Sequence, residues 1–144
     1  MNKLGFGFLR LPLLNPEDDG SVDFEATNKL VDSFVLGNPD DSIFPAIYGA
    51  NAIENRNALG VLETFSAASI IVAADMAAKT ADVQLIELRI AKGMCGKSYM
   101  LLTGEVAAVQ AAIDRAQQEV GSGGMFLDSS VIANPDTKMW ETIL

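Results

Sequence analysis

The sequence predicts an α+β domain over residues 57–144, preceded over residues 1–56 by a partial second copy with an atypical start and a linker. The complete copy has the order β-α-β-β-α-β, the split β-α-β, ferredoxin-like arrangement of one sheet with helices on one face. Three observations predict this. Short apolar runs of strand character alternate with two stretches of helical spacing. Glycines bracket the tight connection between the two middle strands. One segment also occurs twice, as VDSFVLGNPDDSIFPAI over 31–47 and as LDSSVIANPDTKMWETI over 127–143. The two align without a gap at an offset of 96 residues, about the length of a small domain. Asp32/Asp128, Ser33/Ser129, Val35/Val131, Asn38/Asn134, Pro39/Pro135, Asp40/Asp136 and Ile47/Ile143 are identical, and Phe44/Trp140 and Leu36/Ile132 are close. Such a repeat is the mark of a duplicated unit.

Each element has its own cause. Residues 58–64, ALGVLET, read as the first strand, and Ser66 is placed to cap the helix that follows. Over 67–81, Ile70, Ala74, Ala77 and Ala81 fall on one stripe, with Asp75 and Lys79 as an i,i+4 pair. Residues 83–90 alternate as a strand, with Ile86, Leu88 and Ile90 expected on one face and Glu87 and Arg89 on the other. Gly93 and Gly96 bracket a tight loop before a strand at 99–103. The best helix runs over 106–120, with Val106, Val109, Ile113, Ala116 and Val120 on its apolar face and Glu105 where the helix dipole favours a negative charge. Gly121 is placed to end it. A last strand at 125–132 is stopped by Pro135, and 136–144 form a short helix. The first 57 residues are less regular: a strand at 3–13, a turn-rich loop, a helix at 22–30, and a strand at 32–36 by analogy with the repeat. That much cannot close a core alone.

Composition excludes several function classes. A net charge of −9 argues against a basic nucleic-acid interface. Glu17-Asp18-Asp19 and Asp40-Asp41 read as solvated loops. There is no histidine, which excludes a Ser-His-Asp or Cys-His pair and any His-ligated metal. The single cysteine permits no intrachain disulfide and suits a reducing cytosol. The apolar start is interrupted by Arg10 and Pro12 and lacks the order of a signal peptide. The run at 67–78 contains Asp75 and is too short to span a bilayer, so no membrane partner is expected.

The chain resembles the bacterial microcompartment (BMC) shell family over residues 57–136. The stretches that carry the resemblance are ALGVLET at 58–64, AADMAAK at 73–79, GMCGK at 93–97, LLTGEVAAV at 101–109 and SVIANP at 130–135. From about Leu30 to the C-terminus it is similar to the tandem-domain, trimeric members of PduT type. Residues 30–33 look like the last strand of a first tandem domain, 44–47 like its closing segment and 50–57 like the linker. Two departures stand out. The first copy lacks its opening strand, first helix and pore loop; residues 1–29, with LGFGFLRLP at 4–12, weakly resemble the start of an aldo-keto reductase instead. The closing motif ANPD at 133–136 also lacks the family's usual Arg and His.

The resemblance implies a non-enzymatic, self-assembling shell protein of the bacterial cytoplasm. Flat cyclic tiles, trimers or hexamers, would join other shell proteins around encapsulated enzymes. Lys92, Gly93, Met94, Cys95, Gly96 and Lys97 would form the pore loop on the symmetry axis, where glycines let backbones approach closely and every copy presents the same groups. Lys92 and Lys97 would favour anionic metabolites, or stand as solvated loop charges. Lys79 matches the residue that reaches across tile edges; otherwise it is a surface lysine paired with Asp75. Phe44 and Trp140 read as core or inter-domain anchors. The first expectation is no cofactor. The alternative is a shell protein that carries electrons through a [4Fe–4S] cluster shared between subunits, with Cys95 as the metal ligand, against the simpler reading of a small residue in a tight loop. A third reading, a nicotinamide-binding enzyme fragment based on residues 1–29, fails on length and on missing acid–base groups.

Overall fold

The structure, a computed structural model, describes residues 32, 34–54, 56–91, 93, 94 and 96–144. The strand expected at 3–13, the helix at 22–30, the reductase-like start, Lys92 and Cys95 lie outside the described residues. The elements are α1 (Ile43–Ile47), β1 (Ala58–Thr64), α2 (Ala67–Thr80), β2 (Val83–Arg89), β3 (Ser98–Gly104), α3 (Val106–Gly121), β4 (Phe126–Ile132) and α4 (Thr137–Ile143). The sheet runs β2-β3-β1-β4, and every pairing is antiparallel. This is the strand order expected of the split β-α-β arrangement.

Strand β1 sits at the centre because it can be buried on both faces. Ala58 and Leu62 join the core under α2 and α3, while Leu59 and Val61 face the other way. Gly60 lies between Ala58 and Leu62 on the helix side. A Cβ there would meet Leu102 Cδ1 at 2.7 Å and Val109 Cγ1 at 2.9 Å, so the missing side chain is what lets α3 lie against the sheet. The two long helices approach each other through Ala73, Ala74 and Ala77 on α2 and Ala112 and Ala116 on α3, all buried. Small side chains there give large contact area without voids. Ser66 caps α2 as expected, its Oγ accepting from the amides of Ala68 and Ser69 at 3.1 and 3.2 Å.

α4 takes the opposite face of the sheet from α2 and α3. Its Trp140 closes a second, smaller core with Leu59 and Ile86, and Ile53, Val61, Leu101, Ile132 and Ile143 pack around it. Ile86 on this face is a correction to the expected alternation. The β2–β3 register shifts between Leu85 and Glu87, a bulge that inverts side-chain parity at one residue. Leu85 and Leu88 therefore join the main core, and Ile86 turns to the far side. Val106, expected on the buried face of α3, is 44% exposed; it is the first helical residue, and Val109 and Ala112 take the buried positions after it.

The strand expected at 32–36 is not formed by its described residues. None of the four described strands pairs with it, and a strand without a ladder partner leaves its backbone groups to water. Val35 is fully exposed and Phe34 about half so. From there the described residues of 32–51 form an arm held against α2 and β2. α1 buries Ile43 and Ala46 in the main core next to β2 and α2.

Candidate functional site: the β2–β3 loop and the arm along α2

The loop between β2 and β3 is built from residues that tolerate left-handed backbone. Ala91, Gly93 and Gly96 have φ of 52°, 78° and 95°. Two turns close on themselves, with Met94 N donating to Ala91 O at 3.0 Å and Lys97 N to Met94 O at 3.1 Å. For glycine such a conformation carries no Cβ penalty, whereas Ala91 bears about 1–2 kcal/mol. Lys97 does not stand alone: its Nζ is 2.9 Å from Glu63 Oε2 on β1, with both side chains partly in water. A pair this wet is worth about 0–1 kcal/mol, but it sets a carboxylate against the Lys97 charge. Glu63 lies opposite Asp128 in the β1–β4 register.

The arm is held by a line of polar contacts that follows α2 from end to end. At its N-terminus the Asp32 carboxylate accepts from Ser66 Oγ at 2.5 Å and from Ser69 Oγ. A carboxylate there also suits the helix dipole. Toward the C-terminal end, Lys79 Nζ donates to Asp75 Oδ2 at 2.7 Å and to the Asn38 carbonyl at 2.8 Å. Asn38 presents that carbonyl from a left-handed backbone, φ 55°. Asp75 is fully buried, and its Oδ1 accepts from the Asp40 amide at 2.8 Å. Past α1, Asn51 Nδ2 donates to both Ser42 O and Leu85 O, at 3.0 and 2.7 Å, tying the arm back to β2.

Asp75–Lys79 is thus more than the surface pair that the i,i+4 spacing suggests. Its carboxylate is out of water and bridges α2 to the arm, and two of the three Lys79 donors are committed within the chain. Asp40, expected in a solvated loop, instead braces the turn that leads into α1, whose N-cap is Ser42. It accepts from the Ser42 amide at 2.9 Å and from the Ser42 hydroxyl at 2.5 Å. The hydroxyl bond, then the amide bond, hold its carboxyl below the usual value, and Lys79 adds to this against a small burial penalty. The sequence carried one signal for this role, the match of Asp40 to Asp136. Asp136 makes the matching bond, accepting from the Lys138 amide at 2.9 Å, and there it is the N-cap of α4.

On the far face, the linker, β2, β3 and the end of α4 enclose a cleft of about 600 Å³. Arg56, Glu87, Arg89 and Tyr99 supply its polar lining. Arg89 is bonded to Glu87, which raises its already high pKa, and Tyr99 Oη donates to Glu87 Oε2 at 3.4 Å. Arg89 and Tyr99 are therefore tied to one carboxylate on the sheet.

The region that holds the loop and supports the arm also decides the family. A family model described as "BMC domain" matches residues 58–135, from the first residue of β1 to just past β4. The chain belongs to the BMC-domain family. It is 40% identical over 119 residues to a protein described as bacterial microcompartment shell protein PduT, from Citrobacter freundii, a match covering 83% of this chain and 65% of that one. Among solved structures it is similar to a microcompartments protein from Desulfitobacterium hafniense DCB, with a TM-score of 0.73 and 41% identity over 77% of this chain and 62% of the other. The chain thus spans about two thirds of the length of these relatives. The BMC match stops short of α4 and excludes the arm, so the first copy of the closing segment lies outside it and the second is inside it only over 127–135.

No described helix is long and apolar enough to cross a membrane. Among the described residues, no group of three His, Cys, Asp or Glu side chains could share a metal ion. Cys95, on which the cluster alternative depends, is outside them.

Proposed function

We propose that this chain is a structural, non-catalytic component of a bacterial microcompartment shell in the bacterial cytoplasm. It assembles as a cyclic tile of three chains, in which the complete domain at 57–144 fills one position and the partial copy at 1–56 the next. Its partners are further copies, other shell proteins and the enzymes enclosed. The observation that carries this is the combination of a BMC-domain match over 58–135 with an arm that repeats the segment at 127–143 and packs along α2. Both named relatives are microcompartment proteins, which supports the same class. The backbone of the β2–β3 loop suits close approach of several copies at an axis, since Gly93 and Gly96 carry no side chain to clash there. With Lys97 compensated by Glu63, the charge such a pore presents rests on Lys92 more than on Lys97. An edge contact through Lys79 would draw on its remaining donor, the other two being held by Asp75 and Asn38.

The test is the assembly mass of the purified chain by sedimentation equilibrium, with iron content measured on the same anaerobic sample. The expected result is a three-chain species without stoichiometric iron. A chain that stays monomeric, with no sheets or tubes at high concentration, overturns the proposal.

A further inference from the structure

The two copies of the repeated segment bury opposite faces. In the arm, Ile43 and Ala46 are buried against α2 and β2, while Phe44 is 54% exposed. In α4 the matched Trp140 is buried against its own sheet, while Met139 and Thr142, the counterparts of Ile43 and Ala46, are exposed. The arm thus buries the face turned to α2 and β2, and α4 the face turned to the sheet that carries β4. The polar anchors repeat in step. Asp128, Asn134 and Asp136, the counterparts of Asp32, Asn38 and Asp40, are all exposed. On α2 their opposite numbers would be Ser66 and Ser69, Lys79, and Asp75, the groups that now hold the arm.

We infer that the arm occupies, within one chain, a docking surface that also fits residues 128–143 of a second copy, so that release of the arm switches the assembly from three chains to six. The occupant is set by the match itself: a segment of the same spacing and anchor chemistry is already seated on that surface. Met139 and Thr142 would fill the places of Ile43 and Ala46. Asp128 would accept from the Ser66 and Ser69 hydroxyls, the Asn134 carbonyl would meet Lys79, and the Asp136 amide would donate to Asp75. The contact is heterologous, the front of one copy on the side of the next, and such contacts make a ring where the rotation between copies closes. The arm has the advantage of being tethered, which gives it a high effective concentration at the surface. The inference rests on the cyclic-tile proposal for its readout in whole assemblies, but not for the docking step.

The experiment weakens the arm in the full chain. Asp32→Ala with Asn51→Ala removes contacts at its two ends without touching the apolar core, and Ile43→Ser is the stronger variant. Folding is checked by far-UV circular dichroism, and mass by sedimentation equilibrium against the parent chain. A fluorescent synthetic peptide of residues 127–144 is titrated in parallel. The expected result is a doubling of assembly mass in the weakened chain, lost again when Met139→Glu is added, and peptide binding at least tenfold tighter to the weakened chain than to the parent. A folded, weakened chain of unchanged mass that does not bind the peptide overturns the inference, as does a doubled mass that survives Met139→Glu. A monomeric parent chain overturns the cyclic tile instead, and the peptide titration alone then decides the docking step. Should Ile43→Ser fail to fold, the two polar substitutions carry the test.

Discussion

The segments at 32–47 and 128–143 share a local design and differ in nearly everything else. Each turns at Asn-Pro-Asp, and each uses that Asp to accept from the amide two residues on, at 2.9 Å in both. Upstream they part. Residues 128–132 belong to β4 and are paired to β1, whereas the described residues among 32–36 have no ladder partner and leave Phe34 and Val35 exposed. Downstream the helices roll to opposite faces. What the two segments share is short-range: the turn and the Asp side chain that accepts from the amide two residues on. What differs is whatever depends on the surface the segment meets. A repeat thus identifies a unit without saying which of its faces is buried.

The largest test of that contrast is the aromatic pair. Trp140→Ala should destabilise the domain by about 3–5 kcal/mol, because it empties the small core under Leu59 and Ile86. Phe44→Ala should change stability by no more than about 0.5 kcal/mol in the isolated chain. Urea denaturation of both variants against the parent checks the pair. Equal effects would mean that Phe44 is covered by something other than the described residues.

The aliphatic pair should invert this order. Ile43→Ala is expected to cost about 2–4 kcal/mol and Met139→Ala under about 0.5, read in the same denaturation series. Together the four variants form a crossed design in which position within the repeat predicts nothing and burial predicts everything. At the buried bridge between the regions, Asp75→Ala should cost about 3 kcal/mol, since it strips the acceptor from the Asp40 amide and from Lys79 at once. Hydrogen exchange across 38–46 should rise with it.

The same contrast explains what could be read in the sequence. β1, α2 and β3 were legible because alternation, helical spacing and glycine punctuation are local signals that agree with the packing. The Ser66 cap and the buried Trp140 were legible for similar reasons, whereas Gly121, expected just past the helix, is its last residue, and Ser122 is the C-cap. The bulge at Ile86 was not, because alternation carries no mark of an inserted residue; only the register against β3 reveals it. The strand at 32–36 was inferred by analogy, and a strand depends on a partner that analogy does not provide. Asp75 was read only as half of a surface pair because its second partner, the Asp40 amide, lies 35 residues away in sequence. Of the expected pore loop, the glycines and the Lys97 position follow from short-range pattern, but the Lys97–Glu63 pairing arises only when β1 comes alongside β3.

The smallest expected effect separates the arm from the domain by pH. Asp40 has its carboxyl lowered in the folded state, chiefly by the Ser42 hydroxyl and amide. A group lowered on folding contributes its stability in full above its unfolded value, ordinarily 3.8 for this carboxyl, and loses it as pH falls through the folded value below that. Arm docking should therefore be insensitive to pH from neutrality down to about 4 as far as Asp40 is concerned, and weaken in stronger acid. Asp40→Asn keeps an acceptor for the Ser42 amide but carries no titratable charge. It should cost well under about 1 kcal/mol at pH 7, since the bond from the Ser42 amide is kept, and should flatten the acid limb of arm protection. Amide exchange of Ile43 and Ala46, followed from pH 5 to 3 in parent and variant, reads this out after correction for intrinsic rates. Because Val109 and Ile113 belong to α3, which packs on α2 and the sheet while α1 packs on β2 and α2, their protection supplies the internal reference. If they lose protection in step with the arm, arm and domain open as one cooperative unit, and the division drawn between the two copies does not extend to their stability.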